Sequence, residues 1–306
     1  MLQRAPTPRE DHPVVVAGSG RCGSTLLQSI LNTNPRFLIW GEHHGFLRQI
    51  ATAYYEARHP RFPDNSGLSA EHRIKKLRDP RRWPAWDNLC GEAEFQERFR
   101  EFIRSFFADR TGQATRWGFK EIRYGQSVDD HALRLMFDCF PNTRLIILVR
   151  EPEPTIFSML SHWAFAGQRD GHIHIEELDQ RILSAAHSWN AQYMHLQSLR
   201  QANPSNCLPV RYDDLGRARI YRDLSTFLET SSFDYASHIG KVKDASNKTD
   251  PTAVLIGRRI EFLQSQIAAT TRDARAAYGC SASAHSERSL EPRQARQARY
   301  VGSGSI

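Results

Sequence analysis

The chain has 306 residues, 40% of them hydrophobic, and a formal net charge of +7 with a pI near 9.3, a length that suits one large α/β domain or two small ones. No apolar run approaches the roughly 20 residues of a membrane span, and the N-terminus lacks the apolar core of a signal peptide, so a cytoplasmic protein is expected. The basic balance suits an anionic ligand, but arginine is spread along the chain, which argues against nucleic acid; the five cysteines, odd in number and without a C-x-x-C pair, argue against a disulfide framework or zinc site.

In chain order, the β-branched run Val14, Val15, Val16 predicts a strand, and Leu26, Leu27, Ile30 and Leu31 recur at helical spacing. Between them residues 18–25 read G-x-x-x-x-G-S-T, a P-loop in which Ser24 stands where a Walker motif has lysine. Backbone N–H groups and a helix N-terminus still favour an anion there. The lysine that reaches β- and γ-phosphates is missing, so the loop suits a phosphate-like group other than a triphosphate end. Cys22 inside this loop sits at a helix N-terminus, a position expected to lower a thiol's pKa and ease its oxidation.

Pro35 stops the first helix, and Phe37 to Trp40 reads as a short strand. Glu42, His43 and His44 follow at once, where a new helix is expected to begin, outside the carboxyl end of a strand and so facing the same crevice as the loop. Residues 54–90, rich in Pro, Arg, His and Trp, read as an irregular insertion over the site. Residues 92–109 predict a helix whose Phe95, Phe99, Phe102, Phe106 and Phe107 form a core-facing stripe. Residues 116–122 predict a strand ending in Lys120 and Glu121, charges that need a partner or a ligand if buried.

A helix is expected over 127–140, and 143–149 is a continuous apolar run suited to a strand buried on both faces. It leads into Arg150 and a helix containing Ser158. Residues 163–177 read as a loop; His172 and His174 alternate there, but no third metal ligand stands at a telling distance. An amphipathic helix over 179–200, a strand over 207–212, a helix through Leu228, a polar segment over 231–250 and a last helix over 252–275 complete the pattern. Residues 281–306 read as a disordered tail, leaving 1–280 as one domain. Strands alternating with helices predict an α/β fold with a central parallel sheet flanked by helices, of the P-loop NTPase-like type.

The motifs together resemble sulfotransferases that use 3′-phosphoadenosine 5′-phosphosulfate (PAPS). Their signature P-R-S-G-[ST]-[ST]-L stands here as G-R-C-G-S-T-L, Gly20 to Leu26. Their strand ending in arginine, then R-x-P with a serine eight residues on, stands as R-E-P-E-P-T-I-F-S, Arg150 to Ser158. V-R-Y-D-D-L, Val210 to Leu215, is similar to a third run of the same enzymes. The G-E-H-H and W-G-F-K segments look most like the tyrosylprotein and carbohydrate branches. The resemblance spans roughly residues 13–212; Cys22 departs from the usual serine.

The resemblance implies a PAPS site in which Arg21, Cys22, Gly23, Ser24 and Thr25 hold the 5′-phosphosulfate, Arg150 and Ser158 the 3′-phosphate, and Tyr212 lies near the adenine. Ser246 and Lys248 are candidates for further 3′-phosphate contacts. No metal is expected. For transfer to an acceptor hydroxyl on a glycan, lipid, natural product or peptide, Arg21 and Lys120 are the candidates for charge stabilisation. Glu42 is the candidate base, with His43 or His44 as alternates. A catalytic Glu42 needs its pKa raised, whereas Arg21 or Lys120 nearby lowers it, and the sequence leaves that balance open. A divergent P-loop kinase is the alternative; it needs a phosphate-reaching lysine and a magnesium carboxylate, for which Lys120 and Glu121 are the only poor candidates.

Overall fold

Five short strands carry the molecule; the central three are buried almost throughout, and the two edge strands only in part. In the computed structural model, residues 11–57, 69–78, 92–125, 130–164, 174–231, 233–235 and 251–280 are described. The strands are β1 (Val14–Ala17), β2 (Phe37–Trp40), β3 (Arg116–Glu121), β4 (Arg144–Val149) and β5 (Cys207–Arg211). They form one sheet in the order β2-β3-β1-β4-β5, and every neighbouring pair is parallel.

The alternation of side chains along a strand divides the core in two. Val15, Ala17, Leu145, Ile147 and Phe119 face one cluster, and Val14, Val16, Ile146, Leu148 and Ile39 the other. The helices follow the strands: α1 (Ser24–Leu31), α2 (Leu47–Ala57), α3 (Ala70–Leu77), α4 (Glu92–Phe107), α5 (Ala132–Cys139), α6 (Pro152–Met159), α7 (Ile175–Ala202), α8 (Ala218–Phe227), α9 (Pro251–Phe262), α10 (Gln264–Thr270) and α11 (Arg272–Tyr278). Helix α1, through Leu27, Ile30 and Leu31, and α8, through Ile220, Tyr221 and Leu224, cover the second face. Residues of α2, α5, α7 and α11 cover the first, and α6, α7, α9 and α10 share a third cluster beside it.

This strand order decides where a ligand can sit. After β1 the chain crosses to β2 on one side of the sheet, and after β4 it continues to β5 on the other. The loops at the carboxyl ends of adjacent β1 and β4 therefore part, leaving the crevice typical of open parallel sheets.

Several expectations are corrected. No helix begins at Glu42–His44: His44 and Gly45 both take left-handed backbone angles (φ 59° and 68°), which a helix cannot continue through, and α2 starts at Leu47. The insertion over 54–90 is not irregular throughout, since α2 runs to Ala57 and α3 spans Ala70–Leu77; the rest lies outside the described residues. The α4 stripe is only partly core. Phe95 and Phe99 pack on Tyr54 and Phe107 is buried against Trp117 and Phe119, but Phe102 and Phe106 are 39% and 44% exposed.

Helix α5 starts at Ala132, where the Asp130 carboxylate accepts the Ala132 and Gly125 N–H groups (3.2 and 2.7 Å). Residues 163–177 are not all loop: a π-helical turn covers Leu160–Ala164 and α7 begins at Ile175. The last helix is three segments, bent at Leu263 and Thr271, where both side chains turn inward and are buried. Ser246, Lys248, His172 and the tail from residue 281 lie outside the described residues.

Candidate active site

The loop after β1 is shaped by close approaches that only glycine allows. A Cβ on Gly18 would stand 2.4 Å from the Leu148 carbonyl oxygen of β4, and one on Gly23 would stand 2.5 Å from the Tyr212 ring. Gly23, at φ 95°, caps α1 in the left-handed region, and Arg21 is also left-handed (φ 63°), a strain of the kind concentrated at functional sites. Helix α1 has no side-chain cap and no acidic residue in its first turn. Its first N–H groups, which have no acceptor within the helix, thus carry a partial positive charge that no acidic residue of the first turn neutralises.

Around this loop the structure gathers most of the expected donor residues. Arg21 Nε donates to Ser158 Oγ on α6 (3.0 Å), and Arg150 Nη1 donates to the Arg21 carbonyl (2.9 Å). The Arg150 guanidinium stacks 4.6 Å above the Tyr212 ring, and that ring in turn covers Gly23. Five positions from four separate parts of the chain (Arg21, Gly23, Arg150, Ser158, Tyr212) therefore form one cluster. Thr25 is exposed at the start of α1, while Ser24 is buried.

Cys22 differs from expectation. Its side chain points into the core and is fully buried, and burial pushes the thiol up to about 11. The partial charge of the helix end does not reach it strongly enough to offset the lost hydration. Only its backbone can serve a ligand.

On the other side of β1 stands a second, ionic group. Lys120 Nζ, only 7% exposed, donates to Glu42 Oε1 (2.6 Å), and Arg123 Nη1 lies 3.0 Å from Glu42 Oε2. Burial raises the Glu42 pKa, but Lys120 and then Arg123 outweigh it, and the carboxyl is held below its ordinary value. The balance left open by the sequence falls on the side of the cations. Arg21 belongs to the Ser158–Arg150 cluster rather than to this pair.

Glu121, fully buried, has the partners its burial demands. It accepts backbone N–H groups of His43 (3.2 Å), Gly45 (2.8 Å), Ile122 (2.9 Å) and Arg123 (3.2 Å), plus Arg123 Nη1 (2.9 Å). It thereby fixes the turn that carries Glu42. His43 is enclosed by the rings of Phe46, Phe107, Phe119 and Tyr124, and the Tyr124 hydroxyl lies 3.1 Å from His43 Nε2. Burial lowers the His43 pKa. His44 is exposed.

Two residues that the sequence reading missed brace all of this from α7. Gln192 Nε2 donates to the carbonyls of Gly18 (3.2 Å), Ile122 (2.9 Å) and Tyr124 (2.7 Å). The Tyr193 hydroxyl donates to the Leu148 carbonyl (2.7 Å) and accepts the Ser19 N–H (3.3 Å). One helical turn thus ties together the carboxyl ends of β1, β3 and β4. The available signal was Gln192 itself, a polar residue in the apolar stripe of α7.

A parallel sheet with a glycine-rich loop and an uncapped helix at its central crevice defines a P-loop-like α/β protein. A model of the sulfotransferase family matches residues 13–229. The chain belongs to that family and is a sulfotransferase. No curated protein matches it. Among solved structures it is similar to a sulfotransferase from Alicyclobacillus acidocaldarius at 15% identity and a TM-score of 0.50, over 90% of this chain and 98% of that one. Two further similarities have TM-scores below 0.5. One is to the sulfotransferase domain of the Synechococcus PCC 7002 olefin synthase (18% identity, TM-score 0.48, over 89% of this chain and 98% of that one). The other is to a sulfotransferase domain from the curacin biosynthetic pathway (17%, 0.47, over 76% and 77%). The Alicyclobacillus likeness supports the fold: a five-stranded parallel sheet flanked by helices. Among the described residues no helix is long and apolar enough to cross a membrane.

Proposed function

We propose that this sulfotransferase takes its sulfuryl group from PAPS and passes it to an acceptor hydroxyl, with Glu42 as the base and residues 1–280 as one catalytic domain. The observation that carries the reading is the convergence on the loop. Arg21, Arg150, Ser158 and Tyr212 meet over Gly23, while Lys120 and Glu42 stand on the far side of β1.

The residues fit such a donor. Arginine forks match phosphate in two-point contacts, Ser158 adds a hydroxyl, and Tyr212, stacked under Arg150, is the aromatic candidate beside the adenine. The loop N–H groups and the start of α1 suit the 5′-phosphosulfate. Arg21, with its backbone in the loop and its side chain on Ser158, bridges the two phosphate positions.

In the transfer, the acceptor oxygen bonds to sulfur as the bond from sulfur to the phosphate oxygen breaks, and that electron pair leaves with the nucleotide. Glu42 takes the hydroxyl proton. Lys120, bonded to Glu42 before transfer, serves the sulfuryl oxygens as charge shifts onto them. The enclosure of His43 favours Glu42 over it as the base, and the exposed His44 is the remaining alternate. The acceptor is a hydroxyl of a glycan, lipid, natural product or peptide.

The test is transfer of labelled sulfuryl from PAPS to a panel of hydroxyl compounds. Wild-type chain is expected to label at least one class. Glu42→Gln is expected to lose about 10²–10⁴-fold in rate while keeping its affinity for 3′-phosphoadenosine 5′-phosphate (PAP). Wild-type turnover in Glu42→Gln removes Glu42 from the role, and no labelling of any acceptor contradicts the donor.

A further inference from the structure

Arg275 lies on α11, beyond the residues matched by the family model, yet its guanidinium ends beside Glu151 and Glu153, the carboxylates that follow Arg150 in sequence. Its side chain is buried. Nη1 stands 3.5 Å from Glu151 Oε2, Nη2 bonds Glu153 Oε1, and Nε donates to Thr271 Oγ1 (2.8 Å). Arg211, at the end of β5, supplies a second pairing: Nη2 donates to Glu151 Oε1 (3.0 Å), and Nη1 bonds the Gly279 carbonyl. The two carboxylates that follow Arg150 within three residues are thus each met by an arginine from the C-terminal half of the chain.

These pairings do more than a helix start requires. Carboxylates in the first turn of α6 are already favoured by the helix dipole. A phosphate site has the opposite need. Left unpaired, Glu151 and Glu153, one and three residues after Arg150, would offset its positive charge, and charges held in a part-buried site act over longer range than in water. Trp189 Nε1 holds the Arg150 carbonyl (3.2 Å), so the backbone there is anchored without the two arginines. What Arg211 and Arg275 add is positive charge, placed on the carboxylates.

We propose that Arg275, together with Arg211, is a positioning residue for the donor site: it neutralises Glu151 and Glu153, leaving Arg21 and Arg150 available to a phosphate dianion. The inference rests on the reading of Arg150 and Ser158 as 3′-phosphate ligands.

The experiment is calorimetric titration of PAP into the full-length chain at low salt. Arg275→Gln is expected to bind PAP about tenfold more weakly than wild type, a loss of about 1.4 kcal/mol. Adding Glu153→Gln to that variant is expected to bring affinity back to within about twofold, whatever the melting temperature does. A role in folding alone would not show that rescue. Arg211→Gln, whose side chain is about a third exposed, carries the same test if Arg275→Gln does not fold. It is expected to weaken PAP about threefold, restored by Glu151→Gln. Undiminished affinity in the folded arginine variants, or a loss that the glutamine partner fails to restore, overturns the proposal alone. Failure of the wild-type chain to bind PAP overturns the donor reading and this proposal with it.

Discussion

Tyr193→Phe removes one oxygen from the centre of the molecule and keeps the ring. That oxygen donates to the Leu148 carbonyl at 2.7 Å, accepts the Ser19 N–H at 3.3 Å and lies 3.2 Å from Ser19 Oγ. Tyr193 is 0% exposed and Ser19 3%, so water cannot take its place without opening the core. Burial holds the phenol well above its ordinary pKa, so it stays a neutral donor at every working pH. Each buried group left without a partner costs about 1–3 kcal/mol, and the retained ring leaves almost no cavity. With Leu148 and Ser19 both affected, about 2–4 kcal/mol of stability is expected to go. The assay is urea unfolding, read as a lower midpoint at unchanged slope, paired with PAP titration, where a released Ser19 should weaken binding. A loss below about 0.5 kcal/mol with unchanged PAP affinity would refute the brace.

Other substitutions and conditions address the site itself. Gly23→Ala adds a Cβ 2.5 Å from the Tyr212 ring at φ 95°, so PAP affinity is expected to fall at least tenfold, about 1.4 kcal/mol, and a wild-type dissociation constant would contradict the cradle. Cys22, buried with its thiol pushed up to about 11, is expected to resist iodoacetamide in the native protein at pH 8 and to label on unfolding. Rapid native labelling would show the loop to be open. Glu42 has a lowered pKa through Lys120 and Arg123, so its pairing stabilises the fold above its unfolded value and is lost as pH falls through the folded one. The acid limb of the transfer rate is therefore expected below about pH 5, whereas a limb between about 6 and 7 would indicate a histidine base.

Local signals carried most of the fold. The apolar runs at Val14 and Leu145 and the helical spacing after Gly23 are contained in a few consecutive residues, so they can be read one at a time. The loop and the R-E-P-E-P-T-I-F-S run were legible for the same reason, and the structure places them together at one crevice. What failed needed the third dimension. The helix expected at Glu42 is instead a turn shaped by Glu121, whose carboxylate collects the His43 and Gly45 N–H groups only once the sheet forms. Cys22 looked like a thiol at a helix end, and the direction of its side chain into the core decided otherwise. Phe102 and Phe106 fit a helical stripe by spacing, yet spacing alone does not tell which residues of a stripe another element covers. Gln192, Tyr193 and Arg275 act on segments up to 174 residues away, through contacts that no local pattern encodes.

On the proposed reading, the loop at residues 18–25 holds a 3′,5′-bisphosphorylated adenosine without a metal ion. Titration of PAP into the wild-type chain in the presence of a chelator tests it most directly. Binding at micromolar or tighter dissociation constants, about −8 kcal/mol, is expected, weakened at least tenfold in Arg150→Ala. Tighter binding of magnesium-ATP than of PAP, or PAP affinity unchanged in Arg150→Ala, would contradict it.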